Sequence, residues 1–279
     1  MIEITNLKFG YKSRTMVFDS LSLAIPSGEI VGLLGRNGTG KSTLLNLLAG
    51  LLDATAGSIA IEGVDVARRG VALNSKLMIV PEEFKLPALT LDRFVRVTSP
   101  FYEAFDEERF ADCCARFEVR RSARLDRMSM GQRKKAYLSF ALACNTPILL
   151  LDEPTNALDI PARQALRQML AEQVNDERTI IISTHAARDI ENLVDRLVIL
   201  ESHRMVLNER IATLSTLFGM GVVPAGVEPL YVEPSVAGAR GVWIAEGDEE
   251  CRMDLELMFN AATQATREVV AVIANQSKL

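Results

Sequence analysis

The sequence is poor in the residues that build metal cages and covalent staples. It holds four cysteines (Cys113, Cys114, Cys144, Cys251), no Cys-x-x-Cys pair, and two histidines in 279 residues. That argues against a zinc framework and a disulfide scaffold, and low cysteine usage suits a reducing compartment. Positive charge is in deficit too: 31 Lys and Arg against 36 Asp and Glu leave a net −5. No overall basic field is there to draw nucleic acid. Long clean apolar runs are missing as well. The stretches 136–151 and 211–227 carry no charge but are broken by Pro or Gly. Both fall short of the roughly 18–20 residues that a membrane helix needs. The opening MIEITNLKFGYKSR has no apolar core of the kind a secretion signal requires. The expectation is a chain with no membrane span, cytoplasmic, touching a membrane only through a partner.

What is present is an ordinary globular mixture, 48% hydrophobic and 24% charged, long enough to bury a full core. Ile2, Ile4 and Leu7, then Leu21, Leu23 and Ile25, alternate with polar residues, which predicts strands near the amino terminus. Residues 29–34 (EIVGLL), 148–151 (ILLL), 179–183 (TIIIS) and 197–200 (LVIL) are short apolar runs, each suited to a strand buried on both faces. Helical spacing follows the first run (Leu44, Leu45, Leu47, Leu48, Leu51, Leu52) and recurs over 161–174 and 187–194. Strands alternating with helices imply an α/β fold with a mainly parallel sheet. Between 91 and 127 the strand pattern gives way to aromatics at helical spacing (Phe94, Phe101, Phe105, Phe110, Phe117), the mark of a helical insert. Residues 219–241 are rich in Gly, Pro and Val and 251–275 read as helical, a small appended unit. The expected division is a core over 1–85 and 129–214, an insert over 86–128 and an extension over 215–279.

Residues 35–43, GRNGTGKST, match GxxxxGK[ST] in full and lie between a predicted strand and a predicted helix. In that setting Gly38 and Gly40 let backbone N–H groups turn inward around phosphate oxygens, and the following helix adds the positive end of its dipole. Lys41 is then placed to reach the β- and γ-phosphates, and Ser42 to offer a hydroxyl to Mg²⁺. Asp152 and Glu153 close the ILLL run. Beside a phosphate cradle, an acid at that place helps hold Mg²⁺, and a second can polarise the attacking water. His185 follows the TIIIS run, at a strand end where α/β sheets bind ligands.

Three further stretches separate this chain from other nucleotide hydrolases: MSMGQ (128–132), LLLDEPTNALD (149–159) and ISTH (182–185). In that order they resemble the nucleotide-binding subunit of ATP-binding-cassette (ABC) transporters, and the resemblance runs from about Ile2 to Leu214. The family signature, usually LSGGQ, matches at Ser129, Gly131 and Gln132. The resemblance implies a P-loop NTPase fold with N-terminal antiparallel strands, and ATP and Mg²⁺ as ligands. It implies that Gly35, Asn37, Gly38, Gly40, Lys41, Ser42 and Thr43 form the phosphate loop, with Asp152 on Mg²⁺. Glu153 matches the catalytic carboxylate and His185 the switch histidine. Tyr11 matches the aromatic that stacks on adenine, with Phe9 as the rival. Asp159 closes a segment that touches a second subunit, and His203 matches nothing. Two positions depart from the pattern: Met130 replaces the first signature glycine, and Glu82 or Glu83 stands where a Gln is usual.

The resemblance also implies partners. The signature completes the site of a second subunit, so two copies would sandwich ATP head to tail, most simply as a C₂ homodimer. The insert and the Glu82 loop would receive an integral membrane permease, placing the chain at the inner face of the membrane. The signature variant and the tail resemble the exporter branch with a separate permease. An importer subunit and a soluble ABC ATPase are the alternatives. For the tail, an active role (bracing the dimer or capping the cassette) and passive stabilisation are both open.

Overall fold

The computed structural model describes residues 1–11, 16–68, 70, 73, 75–236, 238–245 and 251–276. Its centre is a six-stranded sheet in the order β10-β9-β3-β8-β7-β6. These strands are β3 (Ile30–Gly35), β6 (Leu77–Val80), β7 (Ile148–Asp152), β8 (Thr179–Thr184), β9 (Arg196–Glu201) and β10 (Arg204–Arg210). All pairings are parallel except β10 on β9. Side chains alternate between two apolar layers: Ile30 and Leu34 enter one, Val31 and Leu33 the other. The same holds for Leu149 and Leu151 against Ile148 and Leu150. With both faces covered, the strands need no polar alternation, which is why they read as unbroken apolar runs.

One layer holds α1 (Lys41–Leu48) against a four-stranded antiparallel sheet. That sheet comprises β1 (Ile2–Gly10), β2 (Met16–Ile25), β4 (Ala56–Ile61) and β5 (Val64–Asp65), ordered β2-β1-β4-β5. The other layer holds the helices of the predicted insert, α2 (Leu91–Thr98) and α3 (Glu107–Arg116), with α4 (Met130–Ala143) and α5 (Ile160–Ala171). Phe94, Phe110, Phe117 and Phe140 are buried there, whereas Phe101 ends a 3₁₀ turn (Ser99–Phe101) and is exposed. The insert is closed at its base by a bridge between Thr90 and Arg124.

Two expectations need correction. Residues 187–194 do not form an α-helix. The chain makes a 3₁₀ turn at Ala187–Asp189, followed by the three-residue bond Leu193 N–H to Ile190 O (3.0 Å). Asp195 N–H bonds to Ile30 O at 2.8 Å, so the crossover must drop at once into β9 and has no length for helical turns. The tail is also richer than expected. After α6 (Ile211–Leu217), β11 (Phe218–Val222), β12 (Tyr231–Ser235) and β13 (Gly238–Ile244) form an antiparallel sheet in the order β11-β13-β12. Helices α7 (Leu255–Gln264) and α8 (Thr266–Gln276) follow. No helix among the described residues is long and apolar enough to cross a membrane.

A buried carboxylate ties β3 to the far edge of the sheet. Glu29 is 6% exposed, accepting from Arg196 Nε at 2.6 Å and from Arg210 Nε at 2.8 Å. Arg196 is itself 9% exposed, so removing its partner strands a charge in the interior. Glu29→Ala is expected to cost about 3 kcal/mol of unfolding free energy in denaturant titration. Arg210→Ala, which loses the more exposed partner, should cost about 1 kcal/mol or less.

Candidate functional site

β3 ends at Gly35, and residues 36–40 turn before α1 starts at Lys41. Gly38 (φ +82°) and Gly40 (φ +105°) both take left-handed backbone. At Gly40 the requirement is also spatial, because a Cβ would lie 2.8 Å from Phe18 Cζ. The turn leaves the first N–H groups of α1 at the mouth of a cleft, where they favour an anion. Lys41 is buried, and its Nζ donates to Gly35 O (2.7 Å) and Arg36 O (3.2 Å). Burial lowers its pKa, while Glu153, Asp152 and Glu82 act to keep it charged.

The cleft encloses about 410 Å³ and brings most of the predicted residues together. Tyr11, Asn37, Gly38, Gly40, Lys41, Ser42 and Thr43 line one side, and Glu82, Glu153 and His185 the other. Tyr11 is half-exposed, bonds through its hydroxyl to Thr43 Oγ1 (3.1 Å), and meets Phe9 edge-on at 5.0 Å between ring centroids. Phe9 is 6% exposed in the core, which leaves Tyr11 as the aromatic on the cleft. Gly35 borders an adjoining cavity of about 400 Å³ together with His185.

Across the cleft, the parallel register pairs Asp152 with Ser183. The Ser183 hydroxyl donates to Asp152 Oδ1. Glu153 follows in left-handed backbone (φ +43°), an uncommon geometry for a side-chain-bearing residue. Its Oε1 accepts from the backbone N–H of His185 (3.0 Å) and from His185 Nδ1 (2.7 Å). Its Oε2 accepts from the Thr184 hydroxyl (3.1 Å). Both oxygens are thus fixed by the end of β8.

Glu82, not Glu83, faces this cleft. Asn156 Nδ2 donates to Glu82 Oε1 at 2.9 Å, and Glu83 lines a different groove with Phe84 and Met130. Thr184 and Asn156 hold the acids of this site although the motifs that contain them, ISTH and LLLDEPTNALD, give neither a role. No motif marks Lys134, a lysine in α4 that is almost wholly buried.

Ser129, Gly131 and Gln132 lie outside the cleft and open α4. Ser129 is its N-cap, in a capping box with Gln132: Gln132 N–H to Ser129 Oγ is 3.3 Å, and Ser129 N–H to Gln132 Oε1 is 3.0 Å. Gly131 packs on its own chain, where a Cβ would come within 2.7 Å of Ala157 O. Asp159 caps α5. The Ala162 N–H (2.9 Å) and then Lys135 (3.0 Å) hold its carboxyl below the usual range.

Comparison with known proteins points the same way. Residues 18–156 match the family described as ABC transporter. ABC transporter ATP-binding protein YtrB of Bacillus subtilis (strain 168) is 31% identical over 207 residues, covering 74% of this chain and 70% of that one. The chain belongs to the ABC transporter ATP-binding family. Nod factor export ATP-binding protein I of Neorhizobium galegae is 32% identical over 74% of this chain, though the match spans only 60% of that relative's length. Its counterpart in Paraburkholderia xenovorans (strain LB400) is 31% identical over 85% of this chain and 80% of its own. Among solved structures, an ATP-binding subunit of an ABC transporter superposes with a TM-score of 0.71 at 29% identity, over 77% of this chain and 91% of that one. The dimeric cassette MJ0796, in a post-hydrolysis state with ADP and Pi, gives 0.66 at 26% identity over 75% and 98%. The fold is that of an ABC ATPase, and the motifs lie on it in the expected order.

The Gly131 contact is internal to this ABC chain, so it can be read without nucleotide. Gly131→Ala should lower the unfolding free energy by about 1–3 kcal/mol through overpacking on Ala157. Thermal melting of the protein in nucleotide-free buffer measures this directly.

Proposed function

We propose that this chain is the ATP-hydrolysing subunit of an export system and works as a head-to-tail pair with a second copy on a separate membrane permease. The observation that carries the reading is the single cleft in which Lys41 and the α1 amino terminus face Glu153 and His185, while the signature residues point elsewhere. One chain therefore holds a phosphate cradle with its acid–histidine pair, and separately the start of a helix suited to another copy's phosphate. Export is favoured by the relatives whose names describe Nod factor export. The groove of about 800 Å³ between the Glu82 loop and α4 is the proposed seat of the permease.

In this reading Tyr11 stacks on adenine. The 35–43 loop wraps the phosphates with its N–H groups, and Lys41 leaves its carbonyl partners for the β- and γ-phosphates. Ser42, Asp152 and Glu82 offer a hydroxyl and two carboxylates, hard oxygen donors that fit Mg²⁺. Bound there, the ion neutralises phosphate charge. Glu153 orients water and takes its proton at one carboxylate oxygen, which must loosen from Thr184 or His185 to do so. His185 anchors that carboxylate and senses the terminal phosphate. In the closed pair, Ser129 and the Gly131 N–H reach the opposing nucleotide. Phosphate contacts hold the pair closed, and their loss on hydrolysis reopens it.

Two substitutions separate binding from chemistry. Lys41→Ala should abolish measurable ATP binding by equilibrium dialysis. Glu153→Gln should keep binding, lose at least about 100-fold in turnover, and elute as a dimer with ATP in size-exclusion chromatography. Parental turnover by the Glu153→Gln protein would remove the catalytic assignment. Copurification of the tagged chain with an integral membrane protein tests the transport reading, and failure to recover one from detergent-solubilised membranes counts against it.

A further inference from the structure

Lys134 lies one turn into α4 and is 2% exposed. Its Nζ donates to three main-chain carbonyls, Pro81 O (3.1 Å), Asp152 O (3.3 Å) and Glu82 O (3.4 Å), and sits 5.6 Å from the centroid of the Phe84 ring. One ammonium thus joins the signature helix, the loop after β6 and the end of β7. Burying a lysine is costly unless charge of the opposite sign is near. Burial pushes the Lys134 pKa down to about 8, and Asp152, Glu82 and Glu153 act against that fall. Among the described residues no carboxylate oxygen pairs with Nζ and its hydrogen bonds all go to backbone, so the ammonium serves the three acids as a group.

The balance of charge explains why it is there. Asp152 and Glu153 already place two carboxylates at a triphosphate site, and Glu82 adds a third. Lys41 answers the same three acids from the phosphate loop, and Lys134 answers them from the signature helix. We propose that the buried ammonium of Lys134 offsets Glu82, so that a glutamate can stand at that position without repelling the nucleotide. The proposal rests on the ATPase reading above and assigns to it a charge-balancing residue that no sequence motif marks.

A double-substitution cycle on the full chain tests it, with Kd for a fluorescent ATP analogue, kcat and melting temperature as readouts. Lys134→Gln and Lys134→Met should each weaken nucleotide binding about fivefold or more and lower kcat about tenfold. In the Glu82→Gln background the same substitutions should cost about twofold or less, a coupling beyond that of independent sites. Lys134→Arg keeps the charge but not the compact ammonium, and it should bind nucleotide more tightly than either neutral variant. Equal losses in both backgrounds would overturn the proposal. So would unfolding of both Lys134 variants regardless of residue 82, whereas folding recovered only with Glu82→Gln supports it. A parent that neither binds nor hydrolyses ATP would instead remove the functional reading itself, and this proposal with it.

Discussion

Three carboxylates stand at the ends of neighbouring strands or just beyond them, Glu82 after β6 and Asp152 and Glu153 at β7; Glu82 and Glu153 line a cleft shaped for phosphate, and Asp152 is buried. Like charges at such range repel each other and any anion brought between them. Much of the local structure is an answer to that constraint. Lys41 and Lys134 are buried where burial alone disfavours their charge, and in both the acids act to keep it. The hydroxyls of Ser183 and Thr184 and the Asn156 amide each donate to one of the three carboxylates. Each acid is held by neutral donors, while the cations balance the set.

The parallel register makes this arrangement possible. β7 and β8 run side by side with Asp152 opposite Ser183, so Glu153 leaves the sheet beside Thr184, the last residue of β8. Glu153 turns through a left-handed conformation while β8 runs to Thr184 and the chain bends at His185, which brings the carboxylate onto the imidazole without a long loop. Strained backbone at that one residue costs on the order of 1–3 kcal/mol and is kept only because the surroundings fix it. Here they do: three hydrogen bonds end on the Glu153 carboxylate, and its own N–H bonds to Ser183 O at 3.0 Å.

Legibility in the sequence followed burial and locality. β3, β7, β8 and β9 showed as apolar runs because both faces are covered. β6 carries no strand expectation, although its run is as long and as apolar as ILLL; β10, β12 and β13 carry charged or polar residues that masked them, and two glycines break the apolar run of β11. The 187–194 segment misled because Ala187, Ile190 and Val194 keep helical spacing while the chain makes shorter turns. The phosphate loop, the acidic pair and His185 were visible since their chemistry is written in contiguous residues. Lys134 was not: its burial is a property of three elements meeting. The choice between Glu82 and Glu83 likewise needed the Asn156 contact.

The extension is where sequence left two readings open, and its packing weighs between them. An ion pair to the segment after His185, Arg188 with Glu256 at 2.7 Å, joins two largely exposed side chains, a type worth about 0–1 kcal/mol. Beneath it, Leu255, Leu257 and Met258 are fully buried in the same apolar layer as α4, α5 and β9. Each such side chain contributes about 1.5–3 kcal/mol on burial. The apolar term therefore dominates by several-fold, and it does not depend on charge, salt or ligand. An element attached in that way is a fixed wall beside His185, which fits passive stabilisation by a packed helix pair.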